Sequence, residues 1–167
     1  MTVPGDRPQT RILLVCMGNI CRSPMAHGML RHGLRELRWQ EHVAIDSAGT
    51  HGYHAGSAPD ERAQAATARR GIDISDLRAR AVAVEDFASF DLILAMDEAN
   101  LGNLRAAAAA AHRRKMHLYM EYAAGDAGRS VPDPYYGGPI GFERVLDMLE
   151  EATEGLLLRL RAELGEP

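Results

Sequence analysis

The sequence predicts a three-layer, doubly wound α/β domain, with four parallel strands in one sheet and helices on both faces. Three observations carry that prediction. Short continuous apolar runs, "RILLVCM" (11 to 17) and "DLILAMD" (91 to 97), have the composition of strands covered on both sides. Segments with apolar residues at helical spacing follow them. The chain closes on a long segment in which Phe142, Val145, Leu146, Leu149, Leu156, Leu157, Leu160 and Leu164 recur at that same spacing. Strands alternating with helices give a parallel sheet that binds ligands at the carboxyl ends of its strands.

Taken in order, positions 1 to 10, "MTVPGDRPQT", lack the apolar stretch of a leader and read as a flexible tail, leaving 11 to 165 as one domain. The first strand runs into Pro24, which suits the first turn of a helix, and Met25, Met29, Leu30, Leu34 and Leu37 supply that helix's apolar stripe. A second strand is expected at 43 to 47, "VAIDS", ending in the turn-like "AGTHGYHAGSAPD". Residues 60 to 70 read as a helix closed by Gly71. The strand at 91 to 97 leads into an Ala-rich helix from 98 to 113, whose alanine tract is a surface filled with the best helix former. "KMHLYM" (115 to 120) is the fourth strand, and a Gly/Pro-rich loop precedes the final helix.

Composition narrows the function classes. A chain of 167 residues with a net charge of −4 fits one globular domain and argues against nucleic acid as a partner, since phosphate backbones select basic faces. No apolar segment reaches membrane-spanning length. Cys16 and Cys21 are the two cysteines, too close together to staple a fold of this size, so they are expected to be reduced thiols in a cytosol.

"VCMGNICRSP" (15 to 24) carries the chemistry. It lies between a buried strand and a helix N-terminus, where unpaired backbone N–H groups and the helix dipole make an anion site. Gly18 and Asn19 tolerate the left-handed conformations that aim successive N–H groups inward. Met17, Ile20 and Cys21 complete the loop. Arg22 adds a planar fork matched to two oxygens of a tetrahedral oxyanion. Cys16 lies beneath the cradle, where a helix N-terminus and a cation favour its thiolate, and Ser23 can donate a hydrogen bond to the same sulfur. A thiolate at the floor of an oxyanion cradle is suited to attack phosphorus. A lone C-x5-R is usually a core thiol and a surface arginine, and C-x4-C can bind metal. No second ligand pair accompanies it, and no Gly-Lys-Ser/Thr follows as in a Walker loop. "DPYYGG" (133 to 138) reads, by itself, equally as a Pro-Gly surface turn.

In "VCMGNICRSP", "DSAGT" (46 to 50), "GIDIS" with "RAR" (71 to 80), "AMDEAN" (95 to 100) and "DPYYG" (133 to 137), taken together and in this order, the chain resembles the low-molecular-weight protein tyrosine phosphatases. The resemblance implies a metal-independent phosphoric monoester hydrolase without cofactors. It implies hydrolysis of phosphotyrosine in proteins or peptides through a phosphocysteine intermediate, with phosphate and vanadate-like oxyanions as inhibitors. Cys16 is then the nucleophile, Arg22 holds the phosphate in the transition state, Ser23 stabilises the thiolate, and Asp133 serves as general acid and then base. Tyr135, Tyr136 and Tyr53 become walls of the substrate pocket, and Ser47 and Asp97 support the phosphate loop, although Asp97 equally suits a helix cap. Cys21 reads either as a small packed residue or as a thiol that traps an oxidised Cys16. One departure stands out: Leu77 occupies the place where the family often has a histidine before "RAR". Arsenate reductases on this scaffold need further cysteines, and none follows Cys21. Phosphoarginine-specific relatives tend to carry threonine at the position of Ile20 and lack the Tyr-Tyr pair. A catalytically silent oxyanion-binding or redox-sensing module is the remaining alternative.

Overall fold

Ile12, Leu13, Leu14 and Val15 are all fully buried, so the first strand, β1 (Thr10–Cys16), is covered on both faces. The structure, a computed structural model, describes residues 9–125, 130–136 and 139–165, and of residues 136, 139 and 140 it describes the backbone alone. Most of the expected tail thus lies outside the described residues, and Thr10 already belongs to the sheet.

The sheet has four parallel strands in the order β2-β1-β3-β4, with β2 at Val43–Gly49, β3 at Leu92–Ala95 and β4 at Met116–Leu118. Alternation along β1 divides the core. Ile12 and Leu14 pack with Met25, Leu30, Phe142, Leu146 and Leu149 on one face. Those residues belong to α1 (Arg22–Glu36) and α5 (Pro139–Leu164), with α2 (Glu61–Ala68) on the same side. Leu13 and Val15 pack with Phe87, Leu101 and Leu104 on the other. These come from α3 (Val84–Ser89) and α4 (Glu98–Ala107). The expected three-layer doubly wound architecture is therefore what forms. The strand order reverses between β1 and β3, so their carboxyl ends form the crevice where such sheets bind ligands.

Several boundaries differ from the sequence expectation. The Ala-rich helix stops at Ala107, not 113. Ala108 turns extended, with φ −96° and ψ 150°, and is buried against the second face of the core. Returning the chain to start β4 outweighs alanine's helix preference, and Ala110–Lys115 form a 3-10 turn instead. The fourth strand ends at Leu118 because Tyr119–Tyr122 wind into another 3-10 turn that buries Tyr119, whose hydroxyl meets Thr153 at 2.6 Å. Helix α3 carried no periodicity signal at six residues. Helix α1 ends without glycine: Arg38 takes φ 61°, and the Trp39 N–H bonds Leu34 O at 2.8 Å. This left-handed closure costs an arginine roughly 1 kcal/mol, offset by burial of Trp39.

Helix α5 crosses the 3-10 turn at Gly155, where an added Cβ would fall on the carbonyl oxygen of Tyr122. Gly102 in α4 has nothing within 4 Å of the same position. The two glycines should respond oppositely to alanine. Gly102→Ala should raise stability by about 0.5–1 kcal/mol through helix propensity alone. Gly155→Ala should lower it by about 1–3 kcal/mol, because overpacking against rigid backbone exceeds that gain. Urea unfolding of both variants checks the pair, and a stable Gly155→Ala would mean that α5 can slide past the turn.

Candidate active site

The loop after β1 is held by one chain of oriented hydrogen bonds. Arg80 N–H donates to Asn19 Oδ1 at 3.0 Å, and a backbone N–H can only donate, so the amide oxygen must face it. The Asn19 amide group then donates from Nδ2 to Ser23 Oγ at 2.8 Å. With that oxygen accepting, the Ser23 hydroxyl proton is free to point at Cys16 Sγ, 3.0 Å away. Asn19 N–H also reaches the sulfur, at 3.3 Å. Asn19 takes the expected left-handed conformation, with φ 59°. Gly18 does not share it. What Gly18 supplies is space, since a Cβ there would lie 3.0 Å from His54 Cδ2.

Helix α1 begins at this loop with no acidic residue in its first turn and no side-chain cap on its N-terminal N–H groups, which leaves its positive end to the loop. Arg22 is the buried cation of the site, 3% exposed. Its Nη1 donates to Asp97 Oδ2 at 2.6 Å and to Val131 O at 3.0 Å, and Nη2 lies 3.7 Å from Asp133 Oδ2. Asp97 makes two contacts at once: Oδ2 takes Arg22 while Oδ1 caps α4 through Asn100 N–H at 2.7 Å. Asp133 Oδ1 accepts Tyr135 N–H at 3.0 Å, which leaves Oδ2 turned toward Arg22.

A cavity of about 330 Å³ opens above this arrangement, within the usual range of ligand pockets. Cys16 and Arg22 line it together with Asp133 and Tyr135, so two segments far apart in sequence meet in one space. Ile20 and Cys21 contribute an inner wall, Met17 and Gly18 another, and Tyr53 stands at the rim, 87% exposed. The expected wall residue Tyr136 has its side chain outside the described residues. Arg62 buttresses Tyr135: its guanidinium sits 5.3 Å over that ring and donates to the Tyr135 carbonyl at 3.0 Å. Cys21 is buried, and desolvation, then the charges of Asp60, Cys16 and Asp133, push its thiol far above the ordinary range. It remains a protonated thiol at neutral pH. Among the described residues no group of three or more His, Cys, Asp or Glu side chains is placed to hold a metal ion.

Ser47 pairs with a residue the sequence did not single out. Its Oγ lies 3.1 Å from His27 Nδ1, four positions after Ser23 on α1. Leu77, where the family often has a histidine, packs against the apolar core instead. His27 was hidden among seven histidines without ligand spacing. Its signal, in hindsight, is a polar residue on the buried stripe of α1. His51 and His54 also line the cavity and escaped notice in the same way.

Comparison with known proteins agrees with the geometry. The family model for low molecular weight phosphotyrosine protein phosphatases matches residues 11–166. A low molecular weight phosphotyrosine protein phosphatase of Schizosaccharomyces pombe is 41% identical over 148 residues, covering 88% of this chain and 94% of the relative. A protein tyrosine phosphatase of Entamoeba histolytica, solved with Hepes in its active site, superposes with a TM-score of 0.89 at 36% identity, covering 93% of this chain and 99% of that one. The YwlE arginine phosphatase, solved as a mutant with a phosphorylated active-site serine, gives a TM-score of 0.82 at 26% identity over 91% of this chain and 96% of its own.

Burial lowers the pKa of His27 to about 4, with the neighbouring charge of Arg31 adding to it against the pull of Asp46 and Asp76. The folded protein therefore keeps His27 neutral where the unfolded chain, with an ordinary value of 6.5, binds a proton. Above that ordinary value the group contributes no pH dependence. As pH falls from 6.5 to about 4 it costs progressively more stability, up to roughly 3 kcal/mol. His27→Gln should flatten that acid limb relative to wild type in urea unfolding series. Parallel limbs would show that His27 is not buried as a neutral ring.

Proposed function

The chain belongs to the low molecular weight phosphotyrosine protein phosphatase family, and on that footing we propose that it hydrolyses phosphotyrosine monoesters through a phosphocysteine intermediate. The observation that supports this most is the convergence on one cavity of a sulfur hydrogen-bonded from two sides, a buried guanidinium and a carboxylate. In this reading Cys16 Sγ attacks phosphorus in line with the phenolic oxygen. The equatorial oxygens take hydrogen bonds from Arg22 and from the N–H groups of the loop and the first turn of α1. Asp133 protonates the leaving phenolate and then accepts a proton from the water that cleaves the thiophosphate. The Ser23 hydroxyl, already turned to the sulfur, stabilises the departing thiolate.

Asp97 holds Arg22 in place before substrate arrives, and the Asp133 contact at 3.7 Å is loose enough for a phosphoryl group to replace. The phosphorylated serine in the YwlE structure supports a covalent phosphoenzyme here, and the Hepes in the amoebal enzyme supports an oxyanion cradle. Two features favour a phenol over a guanidinium as leaving group. Ile20 lines the cavity with an apolar side chain that offers no acceptor to a guanidinium, and Tyr135 offers an aromatic face.

Wild type should hydrolyse para-nitrophenyl phosphate unchanged by EDTA, and Cys16→Ser should be nearly inactive. Asp133→Asn should lower turnover of a poor leaving group by roughly 10²- to 10⁴-fold and that of an activated ester much less. Equal losses on both esters would remove Asp133 from the proton-donor role, and an active Cys16→Ser would overturn the mechanism. Peroxide should inactivate the enzyme reversibly. Because Cys21 is held as a thiol, its disulfide with Cys16 should form faster as pH rises from about 6 to about 9. A pH-independent rate of linkage, read by mass spectrometry, would speak against that role.

A further inference from the structure

The charges around the cavity do not, by themselves, favour an acidic peptide. Arg22 is committed to Asp97 and faces Asp133, and Arg62 behind Tyr135 is paired with Asp60 at 3.0 Å. Two imidazoles at the mouth add ring N–H donors to this arrangement. His54 Cδ2 and His51 Cε1 lie 3.0 and 3.5 Å from the space beside Gly18, so both rings press on the phosphate loop from outside. Their centroids are 6.3 Å apart and their planes are tilted by 49°. With hydrogen bonds of about 2.7–3.2 Å each, rings whose centroids are so spaced leave room for one oxyanion between them. Tyr53 N–H donates to His51 Nδ1 at 3.3 Å, which places the neutral ring's proton on Nε2. The Tyr53 ring, 4.4 Å from His51, holds that imidazole at the solvent edge. His51 also borders an adjoining groove of about 620 Å³, which shares Met17, Arg22 and Asp133 with the cavity and runs on over Ala99 and Asn103. A peptide continuing from the bound phosphotyrosine has room to lie there.

We infer that His51 and His54 form a recognition site for a second anionic group, a carboxylate or a phosphate, on a residue flanking the phosphotyrosine. This rests on the phosphatase reading above. The pair stands at the rim and not at the floor, so it reads the flanking residue while Cys16 and Arg22 take the phosphoryl group.

The test compares kcat/KM for phosphotyrosine peptides that carry glutamate, phosphoserine or glutamine immediately before or after the phosphotyrosine. Wild type should prefer an anionic flank over glutamine by roughly 3- to 10-fold at low salt, a ratio that shrinks at high ionic strength. Glutamate and phosphoserine arms show which source of anion is favoured, and a preference for either supports the site. His51→Ala with His54→Ala should bring the ratio near one, while His54→Lys should retain it, because an N–H donor at that place is what acts. A flat ratio in wild type, an unchanged ratio in the double variant, or its loss in His54→Lys would each overturn the site. If wild type cleaves para-nitrophenyl phosphate and the glutamine-flanked peptide with a flat ratio, this inference falls alone. If it cleaves no phosphotyrosine substrate, the phosphatase reading falls and takes this site with it.

Discussion

A guanidinium almost wholly out of water must be compensated where it sits, and Arg22 imposes that requirement on two separate parts of the chain. Asp97 answers it from just after β3, Val131 through its carbonyl from the segment 130–136, and Asp133 from two residues further on. Val131 is itself pinned to Met96 O by its N–H at 2.7 Å. Removing the charge would leave Asp97 and the Val131 carbonyl without their partner; removing Asp97 would leave a buried cation half satisfied. The carboxyl end of the sheet is thereby drawn around one cation, and the cavity is what remains above it.

The sulfur is organised by a different logic. No charge is needed to orient the chain Arg80 N–H, Asn19, Ser23, Cys16; the direction of every hydrogen bond follows from the first donor, which cannot reverse. That donor belongs to a backbone segment whose Arg80 guanidinium is clamped by Asp46 and Asp86. Leu77, where the family often has a histidine, packs against the core, and the Asn19 amide oxygen is met by a backbone N–H. Ser47 is met from α1 by His27. The strained conformation of Asn19 persists because both ends of its amide are occupied.

The two cysteines show how little spacing says about reactivity. Cys16 and Cys21 are both buried in one short loop, yet the hydrogen-bond donors converge on Cys16 while desolvation, and after it the charges of Asp60, Cys16 and Asp133, bears on Cys21. One sulfur receives the hydrogen bonds and the other is held as a thiol.

Sheet, helices and phosphate loop were legible in the amino-acid order because each rests on local causes: continuous apolar runs, helical spacing, and the pairing of a strand end with Gly-Asn and Cys-Arg-Ser-Pro. Cys16, Asn19, Arg22 and Ser23 could be named for that reason, lying within one loop and the turn beside it. Asp133 could be named only through resemblance, since nothing local brings it to Cys16. The early stop at Ala107, the glycine-free end of α1 and the burial of His27 were not legible at all. Each is decided by packing between elements distant in sequence, which overrode alanine's helix propensity, a left-handed penalty at Arg38 and the desolvation of an imidazole. The sequence by itself determined which groups exist and which local frames they occupy. The tertiary structure decided which of them meet, because burial and charge compensation act across space and leave no periodic trace along the chain.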